Sequence, residues 1–141
     1  MLHPDFPVVD GQYRITNEWL ITLNQPHNRR AEDGSLVLWR PGVTVWINIW
    51  NNDDNETIEE IIKWISSGSD PKAFDVESIV KEGLTKYSYR LNEKENNKLT
   101  LTYNGYIITN DSYVQITVYF NLDNDAKVAK SIIDSLEYVQ P

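Results

Sequence analysis

Leu36-Val37-Leu38-Trp39-Arg40-Pro41-Gly42-Val43-Thr44-Val45-Trp46-Ile47-Asn48-Ile49-Trp50 is the stretch whose reading decides the fold. Pro41-Gly42 divides it into two alternating segments. In an extended chain successive side chains point to opposite faces. Val45, Ile47 and Ile49 therefore share one face, and Thr44, Trp46, Asn48 and Trp50 share the other. With Pro41-Gly42 as a two-residue loop, Leu36 lies opposite Ile47 and Leu38 opposite Val45, while Val37 and Trp39 join the tryptophan face. Pro-Gly favours a type II turn, which splays a hairpin, so a looser connection is the alternative. The aliphatic face needs a core. The aromatic face is too apolar to stand wholly in water, so a second layer, a ligand or a partner must cover it.

Towards the N-terminus, residues 1–10 read as an extended lead-in held by Pro4 and Pro7. Short strands follow at Tyr13–Ile15 and Trp19–Leu23, then a polar loop from Asn24 to Gly34. Downstream, Thr57 and Glu60 form a capping box with an acidic first turn. Ile58, Ile61, Ile62 and Ile65 give the i, i+3, i+4, i+7 stripe of an amphipathic helix. Ser66-Ser67-Gly68 and Pro71 end it.

Residues 74–83 fit either a strand or a short helix. Thr85–Leu91 alternates with Tyr87, Tyr89 and Leu91 inward, Glu93 to Asn97 is a polar turn, and Leu99, Leu101 and Tyr103 mark the next strand. Asn104-Gly105 is a type I′ hairpin or a bulge in one strand running to Thr109. The bulge is favoured because Asn110-Asp111 is an equally good turn. Tyr113–Asn121 puts Val114, Ile116, Val118 and Phe120 on one face and Tyr113, Gln115, Thr117 and Tyr119 on the other. The last helix starts near Asp123–Asp125, which read as its cap, and turns Val128, Ala129, Ile132 and Leu136 inward. The expectation is one α+β domain over residues 1–141. It has an antiparallel sheet of about six strands, a mid-chain helix and a C-terminal helix, either as an α/β/α sandwich or with both helices on one side.

Composition narrows the chemistry. Hydrophobic residues at 40% and charged residues at 24% are globular values. A net charge of −8 provides no basic stripe for nucleic acid or anionic membrane. It suits a basic protein partner, or simply solubility. The chain has no cysteine, which removes disulfides, thiolate nucleophiles and cysteine zinc sites. Met-Leu-His-Pro-Asp-Phe-Pro has no signal-peptide pattern, and no apolar run nears the ~18 residues of a membrane span, so a cytoplasmic protein is expected.

His3 and His27 lie in polar or proline-rich segments and read as surface residues. Phosphate loops, nucleophile elbows, dinucleotide fingerprints and His-Glu-x-x-His do not occur. Asp53, Asp54, Glu56, Glu59 and Glu60 lack EF-hand spacing and read as a solvated loop and helix start rather than a cation site. No cofactor or metal is expected. Arg29 and Arg30 precede Glu32-Asp33-Gly34, which makes internal ion pairs one reading. In the other, Arg30 and Arg40 flank the Trp39/Trp46 face and build an aromatic–guanidinium recognition patch. Trp64 lies off the isoleucine stripe and either completes that layer or shapes a groove.

The run Arg29-Arg30-Ala31-Glu32-Asp33-Gly34-Ser35-Leu36-Val37-Leu38-Trp39-Arg40-Pro41-Gly42 resembles the Arg-Arg-x-Glu-Asp-Gly-x-Leu-Val-Leu-Trp-Arg-Pro-Gly signature of a family of small, uncharacterised bacterial proteins. The likeness continues through Lys86–Leu91 and Tyr113–Phe120 and brings no activity with it. More remotely, the element order is similar to the PsbP-like and DcrB-like α/β/α sandwich. That fold includes a nuclear-import factor binding the GTPase Ran and adaptor-chaperones for secretion effectors, so the resemblance implies protein binding by fold-level analogy alone.

Together these readings give a non-catalytic cytoplasmic binding protein, an adaptor, chaperone or immunity-type partner of another protein. The expected contact residues are Trp39, Arg40, Trp46, Trp50, Arg30, Tyr113 and Tyr119. The alternative is a small-ligand binder with an aromatic pocket on the second face, where Arg40 fixes an anionic group. An enzyme using carboxylates and tyrosines is the third reading.

Overall fold

A computed structural model describes residues 2–68, 70–81 and 83–139. In chain order the elements are β1 (Val8–Arg14), β2 (Trp19–Glu32), β3 (Ser35–Arg40), β4 (Val43–Asn51), α1 (Ile58–Ser67), β5 (Phe74–Lys81), β6 (Leu84–Glu95), β7 (Lys98–Ile108), β8 (Ser112–Phe120), a 3-10 turn at Asp123–Asp125, α2 (Ala126–Asp134) and β9 (Glu137–Tyr138). They form one nine-stranded sheet in the order β1-β2-β3-β4-β8-β7-β6-β5, with β9 paired to β2. Every described pairing is antiparallel. Two four-strand meanders thus meet side by side at β4 and β8.

The deciding stretch folds as its alternation requires. Leu36 pairs with Ile47, Val37 with Trp46, Leu38 with Val45 and Trp39 with Thr44. Arg40 pairs with Val43, which leaves Pro41-Gly42 as a two-residue loop with Gly42 at φ +85°. Upstream, Asp33 (φ +49°) and Gly34 (φ +87°) make the left-handed pair of a type I′ turn between Glu32 and Ser35.

A helix covers each face. On the first face Ala129, Ile132, Ile133 and Leu136, from α2 and the residues after it, pack on Val45, Ile47, Val114, Ile116, Val118, Trp19, Ile21 and Leu23. On the second, Ile61 and Ile65 of α1 pack on Tyr87 and Ile108. The capping box is present: Thr57 Oγ1 accepts from the Glu60 amide at 3.1 Å, and Glu60 Oε1 accepts from the Thr57 amide at 3.2 Å.

Several expectations need correction. The sheet has nine strands rather than about six. Of the ambiguous stretch 74–83, Phe74–Lys81 is an edge strand, and Glu82 lies outside the described residues. Val76, Ile79 and Val80 on it are exposed, which hid its alternation. The supposed polar loop Asn24–Gly34 is mostly strand. Val9 pairs with His27 and Gly11 with Leu23, so Asn24, Gln25 and Pro26 bulge opposite Asp10 alone. Pro26, with no N–H to donate, is tolerated where the ladder is broken. A second register shift separates Phe74 from Glu77 in the β5–β6 pairing.

Asn104-Gly105 is not a bulge, because the β7 register runs unbroken from Lys98 to Ile108. Gly105 is required by the helix above it: a Cβ there would lie 2.7 Å from Ile133 Cγ2 and 3.2 Å from Ile116 Cγ2. On α2, Val128 is 41% exposed and Ile133 is buried in its place. Asp125 makes no side-chain cap. Asp123 instead pairs with Arg90 at 2.8 Å, and Arg90 also reaches Asp75 at 3.6 Å. His27 is 2% exposed and belongs to the interior, not the surface.

Gly105→Ala is expected to lower stability by about 1–3 kcal/mol, since the added methyl must displace Ile133. Urea unfolding of the two proteins checks this, and an unchanged midpoint would contradict the close approach.

Candidate functional site

Because α1 is short, it covers only one end of the second face. Tyr89, Tyr106 and Tyr113 are partly buried at the margin of its cluster. Beyond them Trp39, Trp46, Asn48, Asn104 and Thr117 are half-buried with no helix over them, and Trp50 (42%) and Tyr119 (41%) are exposed. Pairing brings Trp46 beside Val37 and Thr117, Thr44 beside Tyr119, and Trp50 beside Tyr113.

The Arg30 guanidinium lies 4.7 Å from the Trp39 ring centre and 5.9 Å from that of Trp46. Glu32 Oε2 accepts from Arg30 Nε at 3.1 Å and Nη2 at 2.9 Å. Arg30 therefore makes the ion pair and lies over the indoles at once. Each such contact at a partly exposed site contributes only about 0.5–1 kcal/mol. Their effect is to hold the guanidinium over the indoles, beside Val37, which is wholly buried.

The lead-in closes one side of this stack. Asn28, fully buried, donates from Nδ2 to the His3 and Phe6 carbonyls and accepts from the His3 amide at 2.7 Å. That places the Phe6 ring edge-on to Trp39, with centres 5.0 Å apart. Nothing in the sequence distinguished Asn28 from a loop asparagine. Towards the middle of the sheet the face is polar: Thr117 Oγ1 donates to Asn104 Oδ1, Asn104 Nδ2 to Thr102 Oγ1, and Gln115 Nε2 to the Tyr106 hydroxyl.

At the α1 end the Trp50 and Tyr113 rings lie 5.4 Å apart. Burial first, then the charges of Glu56 and Asp54, push the Tyr113 phenol above its ordinary pKa. Glu56, Glu60, Trp64 and Tyr113 line a cleft of about 270 Å3, and Trp64 is 64% exposed. Asn52 fixes this corner by donating to the Glu56 and Asn110 carbonyls at 2.7 and 3.0 Å.

Six of the expected contact residues, Arg30, Trp39, Trp46, Trp50, Tyr113 and Tyr119, thus share the second face. Arg40 does not. Two residues on from Leu38 it alternates onto the first face, where it lines a cleft of about 300 Å3 with Gln25, His27, Lys127, Val128 and Ile132. Another cleft, of about 610 Å3, lies between the β6 start and β9. Neither of these two is lined by the second-face aromatics. Trp19 is fully buried and donates from Nε1 to Ser112 Oγ at 3.0 Å. Among the described residues no group of histidine, aspartate or glutamate side chains could hold a metal ion, and no helix is long and apolar enough to cross a membrane.

His27 donates from Nδ1 to the Gln25 carbonyl at 2.7 Å, which leaves Nε2 unprotonated and without a partner. Its pKa is lowered by burial, with Arg40 adding to the effect, while the Gln25 bond and Asp10 oppose it.

No protein-family model matches the chain, and no curated protein matches it in sequence. Among solved structures, a protein from Bacteroides thetaiotaomicron VPI-5482 superposes with a TM-score of 0.67 at 13% identity, over 94% of this chain and 50% of that one. The present chain therefore spans about half the length of that protein, and a likeness at this identity concerns the fold alone. LpqN, involved in cell envelope biogenesis of Mycobacterium tuberculosis, aligns with a TM-score of 0.48 at 9% identity, over 99% of this chain and 89% of its own.

Two outcomes follow from this geometry. Replacing Trp50 and Trp64 together by Phe should remove most acrylamide-quenchable tryptophan fluorescence while changing stability by no more than about 0.5 kcal/mol. Quenching that persists would mean that Trp39 or Trp46 is the exposed fluorophore. As pH falls below about 6.5 the unfolded chain protonates at His27 while the folded chain, its pKa lowered, resists, so stability should fall with pH from there. His27→Gln should flatten that part of a urea-midpoint profile, and an unchanged slope would count against the buried neutral imidazole.

Proposed function

We propose that this is a non-catalytic, cytoplasmic binding protein whose ligand is another protein, seated on the open half of the second sheet face. The observation that carries this reading is the half-cover by α1. Trp39, Trp46, Trp50 and Tyr119 stand with Arg30 on a broad surface that no helix among the described residues covers. Tryptophan, tyrosine and arginine are the side chains that most often dominate binding energy at protein interfaces. A flat, open surface suits a protein partner, whereas a small ligand needs a concave site.

Charge chooses the kind of partner. The aromatic surface runs at its α1 end into the exposed carboxylates Asp53, Asp54, Glu56, Glu59 and Glu60, and their field already acts on Tyr113. A basic protein segment is the complement of that border. Support for a binding rather than a catalytic role is chemical. The hydroxyls of Thr102, Tyr106 and Thr117 bond to amide groups or a backbone carbonyl, not to an activating base. Membership of the bacterial family with the Arg-Arg-x-Glu-Asp-Gly signature, and the remote PsbP-like likeness, belong to the same proposal and point the same way by analogy.

Site-specific photo-crosslinking in the native cell tests it. Benzoylphenylalanine at position 50 or 119 should capture one basic protein, and the same group at position 80, on the exposed edge strand β5, should not. Trp46→Ala, in a variant shown to be folded, should cut the adduct by about tenfold or more. Equal capture from position 80, or no adduct at 50 and 119, overturns the reading.

A further inference from the structure

On the opposite face, the cleft between the β2 bulge and α2 has the features of a second site. Arg40 and Lys127 both line it. Among the described residues neither Arg40 nor Lys127 has a carboxylate partner within salt-bridge distance, so both cationic heads are left to face the cleft. Lys127 sits in the first turn of α2, just after Asp123 and Asp125. Two cations thus share the lining of one hollow of about 300 Å3 in a chain whose net charge is −8.

The remaining wall is apolar and shaped. Ile132 is buried beneath it, and Val128, whose exposure makes no sense as core, faces it instead. His27 forms part of the lining, and burial, with Arg40 adding to it, lowers its pKa and so works against a third charge there. The cleft has this form because Asn24, Gln25 and Pro26 bulge out of β2 at that point.

We infer that this cleft binds a small aliphatic carboxylate, its carboxylate on the Arg40 guanidinium and Lys127 ammonium and its alkyl chain against Val128 and Ile132. A planar guanidinium pairs a carboxylate through two parallel hydrogen bonds, and the alkyl wall selects for a short hydrocarbon tail over a bare inorganic anion. The cleft lies on the other side of the sheet from the second-face aromatics, although Arg40 also borders a hollow beside Trp39 and Pro41.

The test is a 1H–15N NMR titration of the whole protein with pentanoate, pentanamide and inorganic phosphate at fixed ionic strength. Pentanoate should give saturable shifts confined to Gln25, His27, Arg40 and residues 127–132, and should move the His27 titration upward by offsetting Arg40. Arg40→Gln should weaken binding by about tenfold or more. Lys127→Gln, at an exposed helix position, provides the same comparison if the first variant misfolds. The inference is overturned if pentanoate shifts do not saturate, if the charge variants bind as well as wild type, or if pentanamide or phosphate binds as tightly as pentanoate.

Discussion

The pairing of β4 with β8 is the constraint on which the rest of the molecule depends. It runs without a break from Val43 opposite Phe120 to Asn51 opposite Ser112. Val45, Ile47 and Ile49 meet Val118, Ile116 and Val114 on one face, while Trp46 and Trp50 meet Thr117 and Tyr113 on the other. A slip of one residue would turn the aliphatic row out and the indoles into the α2 core. Ser112 marks the end of the register: it accepts from the Trp19 indole and donates from its hydroxyl to the Trp50 carbonyl at 3.1 Å. The first strand of the core, the central pairing and the edge of the aromatic face are thereby tied to one side chain.

The two helices use this common sheet unequally. α2 meets a closely fitted surface, near enough that residue 105 has no room for a side chain. α1 is fastened mainly by its own end, through the Thr57–Glu60 box and the Asn52 bonds, and buries only Ile61 and Ile65 fully. The incomplete cover of the second face follows from that difference. The aromatic surface is what remains when a wide sheet carries one short helix on that side, with Arg30 and Phe6 closing over the indoles from the flank.

Much of this architecture could be read in the chain because its information is local. Alternation in 36–50 and 113–121 fixes faces, Pro41-Gly42 fixes the register between β3 and β4, and the isoleucine stripe with its box fixes α1. What could not be read is set by contacts distant in sequence. Gly105 looks like a turn glycine until the approach of Ile133 is known. Asn24-Gln25-Pro26 looks like a loop because the turn-forming residues sit in a bulge inside a strand. His27 and Asn28 become interior residues only through β1 and the lead-in. For the site, side-chain parity gives the faces of Trp39, Trp46, Trp50, Tyr113 and Tyr119, whereas Arg30 sits in a stretch that reads as a loop and is placed only by the β2–β3 pairing. Arg40 was misplaced by its nearness in sequence to Trp39, although the same parity assigns it to the other side.

The two register shifts have a consequence for the molecule in a crowded solution. β1 and β5 are the outermost strands; the shift at Phe74/Glu77 puts an extra residue in β5 itself, whereas at Val9/Gly11 the extra residues lie in β2 and β1 is turned at Gly11 (φ +64°). A kinked border strand cannot present a straight row of free amide and carbonyl groups to a neighbouring copy. A sheet this broad, with Val76, Ile79 and Val80 bare along one margin, would otherwise be a ready template for fibre growth. Such irregularities work against edge-to-edge pairing at the margins.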